Sequence, residues 1–190
     1  MTSTIFLMVA RLLYDKGYHE YVEAAQKIKK EFPDVQFRLL GAFAESSPNH
    51  VPKSIVAGDC NNGYINYLGF STNVIPIIRE ADCIVLPSFY LEGLSRTLME
   101  GLAMGKPIIT TDIPGCRETV DDGVNGFLVK PQDVDSLVSA IKRFLELSRE
   151  QRHEMGRRSR QKAEKEFDVK EVIAIYKQIT SPWIASKTNT

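Results

Sequence analysis

Two long cations, Arg11 and Lys16, stand just beyond an apolar run, Ile5–Val9. A guanidinium and an ammonium in one loop suit phosphate oxygens, which they bind by charge-assisted hydrogen bonds. The competing reading is two solvated surface charges, since Lys and Arg sit mostly at surfaces. A second group lies farther along. The apolar run Cys83–Leu86 leads into Pro87-Ser88-Phe89-Tyr90-Leu91-Glu92-Gly93-Leu94-Ser95-Arg96-Thr97-Leu98-Met99-Glu100. A helix starting near Ser95 leaves the amides of Leu94, Ser95, Arg96 and Thr97 as unpaired first-turn donors, a ready anion site. Glu92 lies at the helix mouth and Glu100 two turns inside it. Carboxylates accept well from vicinal hydroxyls, so this pair suits two sugars at the ends of a diphosphate. Equally, Glu92 can complement the helix dipole and Glu100 can be a solvated helix position. Spacing alone leaves both readings open.

The elements that must position these residues alternate in period. Ile5–Val9 is a continuous apolar run, the mark of a strand buried on both faces. Tyr21, Val22, Ala25, Ile28 and Phe32 recur at helical spacing, and Pro33 closes that helix. Further strands are expected at Val35–Leu40, Ile65–Leu68, Cys83–Leu86, Pro107–Thr110 and Gly126–Val129. A polar stretch over 42–62 has room for a short helix near Ser54–Ala57. Asn73–Glu80 is a short helix in which Pro76 fits only the first turn. Helices are also expected over Ser95–Met104, a face built from Val134, Leu137, Val138, Ile141, Phe144 and Leu145, and residues 150–165 and 169–179. Strand and helix alternating in this way predict an α/β fold. It is a doubly wound, mostly parallel, six-stranded, Rossmann-like sheet with a helical C-terminal tail. In such sheets ligands sit outside the carboxyl ends of the strands, where both groups fall.

The bulk numbers exclude several classes. Twenty-four basic and 24 acidic residues in a chain of 190 leave no net charge, against the basic excess of a nucleic-acid binder. No run of 18 apolar residues is present, and the apolar start has no basic region ahead of it to read as a signal peptide. Cys60, Cys83 and Cys116 are odd in number and unclustered, which fits a reducing cytoplasm. With His19, His50 and His153 scattered, no metal site is expected. Cys83 and Cys116 read as packing residues. Residues 149–166 hold seven basic against four acidic side chains, which reads as a solvated helix face or as a surface for anionic headgroups.

Arg-x4-Lys-Gly at Arg11–Gly17, Glu-x7-Glu at Glu92–Glu100 and Gly105-Lys106-Pro107-Ile108-Ile109 together resemble the retaining glycosyltransferases of family 4. The resemblance runs from Ile5 to about Ile179 and implies the GT-B fold, two Rossmann-like domains facing across a cleft. Glu92-Gly93-Leu94-Ser95-Arg96 and Asp112-Ile113-Pro114-Gly115-Cys116-Arg117-Glu118 are similar to bacterial enzymes that extend lipid-linked or surface polysaccharides. What this implies is a donor-binding domain over 1–180 and a flexible tail over 181–190, with the amino-terminal acceptor domain absent. Arg11 and Lys16 would neutralise the diphosphate, and Glu92 would contact the transferred sugar. The amides of Leu94, Ser95, Arg96 and Thr97 would hold sugar and phosphate, and Glu100 the ribose. Phe70 and Ser71 would lie beside the base. Many relatives have Gly-Phe-Gly-Leu after the first Glu, where this chain has Gly-Leu-Ser-Arg, a change that bears on donor-sugar identity.

The implied partners are a nucleotide-sugar, with UDP preferred, and a saccharide or lipid-linked acceptor. The full enzyme would be cytoplasmic, with peripheral membrane contact at the inner face. Cations and amides can stabilise the leaving diphosphate electrostatically, so no metal or other cofactor is required. A sugar-nucleotide 2-epimerase is the nearest alternative, and a non-catalytic nucleotide-binding module another. A dinucleotide dehydrogenase is excluded by the lack of Gly-x-Gly-x-x-Gly after the first strand and by Gly41 where strand two should end in an acid.

Overall fold

A computed structural model describes residues 3–91, 93–168 and 170. Its sheet has six parallel strands: β1 (Ile5–Val9), β2 (Gln36–Leu40), β3 (Asn66–Tyr67), β4 (Cys83–Leu86), β5 (Ile108–Thr111) and β6 (Gly126–Val129). They lie in the order β3-β2-β1-β4-β5-β6. The chain winds outward from β1 through β2 to β3, then crosses back to lay β4 on the other side of β1. The β1/β4 boundary is therefore the switch point, beside which ligands bind in doubly wound sheets. The α/β, doubly wound, Rossmann-like expectation holds.

The helices are α1 (Tyr18–Glu31), α2 (Lys53–Asn61), α3 (Ile75–Glu80), α4 (Arg96–Ala103), α5 (Val134–Glu146) and α6 (Arg149–Glu166). Strand alternation sends them to both faces. Phe6 packs edge-on against Phe144 of α5 at 5.6 Å, whereas the neighbouring Leu7 is in register with Ile84, which faces Gly101 of α4. Successive strand residues point oppositely, so α5 and α4 cover opposite faces. Phe6, Phe37 and Tyr21 form the aromatic centre of the α5 face, with centroids 5.3 and 5.5 Å apart. The buried Tyr21 hydroxyl donates to the carbonyls of Phe6 and Arg38, so its polar end is satisfied.

Several boundaries differ from expectation. The fifth strand starts at Ile108, not Pro107, because proline offers no N–H to the ladder. The third is two residues, not four, as Gly69 turns the chain at φ 80°. Helix α2 runs nine residues, beyond the 54–57 expected, since Gly58 does not break it. Helix α3 starts at Ile75 with Pro76 in its first turn, two residues later than expected. Helix α1 begins directly after Gly17, because Tyr18 belongs to its buried face. Two 3-10 turns, Tyr14–Lys16 and Arg117–Thr119, were not expected. The helix expected over 169–179 lies outside the described residues except for Lys170.

Most cations of helix α6 are paired within the chain. Glu154 accepts from both Arg157 and Arg158, which hold its carboxyl down to about 2. Arg160 pairs with Glu164 and donates to the Ala103 carbonyl, and Lys162 pairs with Asp121 and Glu166. Arg152 donates to the carbonyls of Leu145 and Leu147 and lies over the Phe144 ring. Arg152, Arg160 and Lys162 thus hold α6 to its neighbours, while Arg157 and Arg158 pair within the helix. Cys83 and Cys116 are fully buried, and burial pushes the Cys83 thiol well up, away from the reactive thiolate.

Candidate functional site

The loops after β1 and β4 are built as one unit. Residues 14–16 form a 3-10 turn that ends on Gly17 at φ 84°. That turn aims the Asp15 carbonyl at the other loop, where it accepts from the amides of Phe89 (2.9 Å) and Tyr90 (3.1 Å) and from the Ser88 hydroxyl (3.2 Å). From the far side, Thr110 Oγ1 donates to the Leu86 carbonyl and Thr111 Oγ1 to that of Ser88. The ends of three neighbouring strands are thus tied by hydroxyls and carbonyls in addition to sheet pairing. Buried polar bonds of this kind hold a loop rigidly.

Lys16 is almost wholly buried, with its Nζ 4.6 Å from the centre of the Tyr90 ring. The ring faces the ammonium with its electron-rich side. Its own backbone is fixed by the Asp15 carbonyl and by Ser88 Oγ at 3.2 Å. Arg11 differs: it is exposed at the rim of the same loop. One cation is thus buried against the β4 loop and the other is exposed.

Helix α4 starts at Arg96, and its N-cap Ser95 makes no side-chain capping bond. Geometry leaves the amides of Arg96 and Thr97 without helix partners. The Ser95 amide is a correction to the expectation of four open donors: it donates to the Gly115 carbonyl at 2.9 Å. A backbone acceptor from the loop after β5 has taken its place. Leu94 is exposed beside this start, as are Tyr90 and Leu91. Glu92 lies outside the described residues. Glu100 is partly exposed and accepts from Arg96 Nε at 2.9 Å, so its carboxylate is oriented along the helix surface.

Phe70 follows β3 and is about two-thirds exposed, at the same end of the sheet but two strands away. Ser71 folds back on its own loop: its hydroxyl donates to the Asn73 carbonyl and accepts the Asn73 amide. The structure therefore brings Lys16 to the β4 loop and sets Arg11, Leu94, Arg96 and Thr97 around the switch point. Phe70 and Ser71 stand to one side. The residues that sequence reasoning passed over are Tyr90, the Asp15 carbonyl, Thr110, Thr111 and Glu118. Of these only the Thr110–Thr111 pair carried a signal, two buried hydroxyls ending an apolar strand.

Known proteins agree with this architecture. A protein of Campylobacter jejuni named N,N'-diacetylbacillosaminyl-diphospho-undecaprenol alpha-1,3-N-acetylgalactosaminyltransferase is 32% identical over 142 residues, 75% of this chain and 35% of its own. The glycogen synthase of Mycobacterium tuberculosis is 27% identical over 180 residues, 91% of this chain and 41% of its own. Among solved structures, a glycosyltransferase from Rickettsia africae superposes with a TM-score of 0.82 at 27% identity, covering 95% of this chain and 49% of its own. Anabaena Alr3699/HepE in complex with UDP gives 0.80 at 22% identity, covering 97% and 49%; at that identity the likeness shows the fold alone. The chain thus spans less than half the length of each of these. Residues 1–162 match the family described as Glycosyl transferases group 1, and the chain belongs to that family.

Proposed function

We propose that this chain is the C-terminal, donor-binding domain of a retaining glycosyltransferase of family 4. It takes a UDP-sugar, and the whole enzyme passes the sugar to a saccharide or lipid-linked acceptor. The observation that carries this reading is Lys16, buried at the switch point against Tyr90 of the β4 loop, the loop that leads into the open start of α4. A diphosphate there meets a desolvated ammonium on one side and helix N-terminal amides on the other. Arg11 adds a second cation from the rim. The C. jejuni relative's name supports transfer of a sugar to a lipid-linked acceptor.

The chemistry asked of these groups is electrostatic. Breaking a glycosyl–phosphate bond builds charge on the leaving diphosphate. Fixed cations and amides stabilise that charge without reorganising at the moment of reaction. On this reading Arg11 and Lys16 do so without a metal, Glu100 accepts from the ribose hydroxyls, Glu92 contacts the transferred sugar and Phe70 lies near the base. Residues from a facing domain complete the acceptor side. The enzyme works in the cytoplasm and touches the membrane peripherally; no helix among the described residues is long and apolar enough to cross one.

Calorimetric titration with UDP, GDP, ADP and their sugars tests the reading. UDP and UDP-sugars are expected to bind weakly and best, and this chain alone to transfer no sugar to any acceptor. Transfer by the chain alone would contradict the division of labour, and equal indifference to all three diphosphates would remove the site. Glu100→Gln is expected to weaken UDP and UDP-sugar alike, by about 1 kcal/mol for a partly wet contact. Glu92→Gln is expected to weaken only the sugar-bearing ligand. Loss confined to the sugar on changing Glu100 would show the ribose to be misplaced.

A further inference from the structure

The Ser95 amide is the last backbone donor before the open turn of α4, and it is held by the Gly115 carbonyl at 2.9 Å. Gly115 is itself held. Its φ of 88° turns the peptide so that its carbonyl reaches Ser95 while its amide donates to Glu118 Oε2 at 2.9 Å. Glu118 lies on the 3-10 turn Arg117–Thr119 and reaches back three residues to do so. Gly115 is buried while Glu118 is exposed, so an accessible carboxylate supplies the acceptor for a buried amide.

The rest of that loop has its own supports. The amides of Cys116 and Arg117 donate to the Ile113 carbonyl, and Arg117 pairs with Asp112 at 3.2 Å. Thr119 Oγ1 donates to the Cys116 carbonyl. Removing the Glu118 carboxylate leaves these bonds and the β5–β6 ladder in place. What it frees is the peptide between Pro114 and Cys116, and through it Ser95. We propose that Glu118 is a positioning residue for the nucleotide site: through Gly115 it fixes Ser95 and so sets where the amides of Arg96 and Thr97 point. The inference rests on the reading that the start of α4 receives the diphosphate.

Glu118→Ala is expected to weaken UDP binding by about five- to tenfold, the worth of one hydrogen bond. Glu118→Gln keeps an acceptor oxygen at the same reach and is expected to stay within about twofold of the parent. Glu118→Asp, one methylene short, should behave like the alanine variant, and it carries the test if that variant fails to fold. Hydrogen exchange supplies a readout that fold stability alone would not move. The Ser95 amide should exchange faster in the alanine and aspartate variants, with Ile109 and Thr110 of β5 unchanged. If the parent binds UDP and the alanine and aspartate variants bind equally well, the positioning role is overturned and the diphosphate reading stands. If glutamine fails to restore binding, the acceptor oxygen is not what matters and the role is likewise overturned. If the parent binds no UDP, both fall together.

Discussion

Lys16→Ala is expected to weaken binding of a nucleoside diphosphate by about 3 kcal/mol, roughly a hundredfold, and to leave nucleoside binding unchanged. The size follows from where the ammonium sits. Lys16 is almost wholly buried against the Tyr90 ring, so little water screens it. Arg11 is exposed at the rim, where solvent competes for the same phosphate. Arg11→Ala should therefore cost less, about 1.5 kcal/mol, at the weak end of hydrogen bonds to charged groups. Raising salt should erode the Arg11 contribution more than that of Lys16. Calorimetry with UDP and with uridine, at low and high salt, separates these effects. A loss of uridine binding as large as that of UDP would mean that both residues shape the fold instead. Equal losses for the two variants would mean that burial does not set the strength of the site.

Much of this was legible in the sequence, and the limits have physical causes. The runs Ile5–Val9, Cys83–Leu86 and Gly126–Val129 fell where expected because strands buried on both faces need uninterrupted apolar residues. The edge strand did not, since Asn66 and Tyr67 pair on one side only and little apolar patterning marks them. Arg11, Lys16 and the start of α4 could be placed at the carboxyl ends of strands from spacing alone. Their grouping at one switch point depends on β4 lying beside β1, a fact of strand order that no local pattern contains. The Ser95 amide was misassigned for the same reason. Its acceptor, Gly115, is 20 positions away in sequence and arrives only because β5 neighbours β4. Tyr90 was one apolar residue among several in its loop until the backbone turned its ring over Lys16.

Gly17→Ala is expected to cost about 3 kcal/mol or more of stability, because two separate penalties meet there. The first is conformational: Gly17 has φ 84°, and an L-residue in the left-handed region loses about 1–2 kcal/mol. The second is steric. A Cβ on Gly17 would stand 2.2 Å from the Pro87 carbonyl oxygen, so the β1 and β4 loops would have to part. Overpacking of that kind adds about 1–3 kcal/mol. Gly63 separates the two terms, since it has φ 74° but nothing within 4 Å of an added Cβ. Gly63→Ala should lose only the conformational part, about 1–2 kcal/mol. Gly17→Asn closes the comparison. Asparagine tolerates left-handed φ but keeps the Cβ, so it should recover little of the loss. Denaturant midpoints of the three variants give these differences. Recovery by asparagine to near the parent would show that only φ matters and that the loops do not need to touch. If they do need to touch, the damage reaches past stability. Lys16 precedes Gly17, and Tyr90 hangs from the Asp15 carbonyl. A loop pushed off Pro87 carries the ammonium away from its ring, so diphosphate affinity should fall in Gly17→Ala even where the chain stays folded.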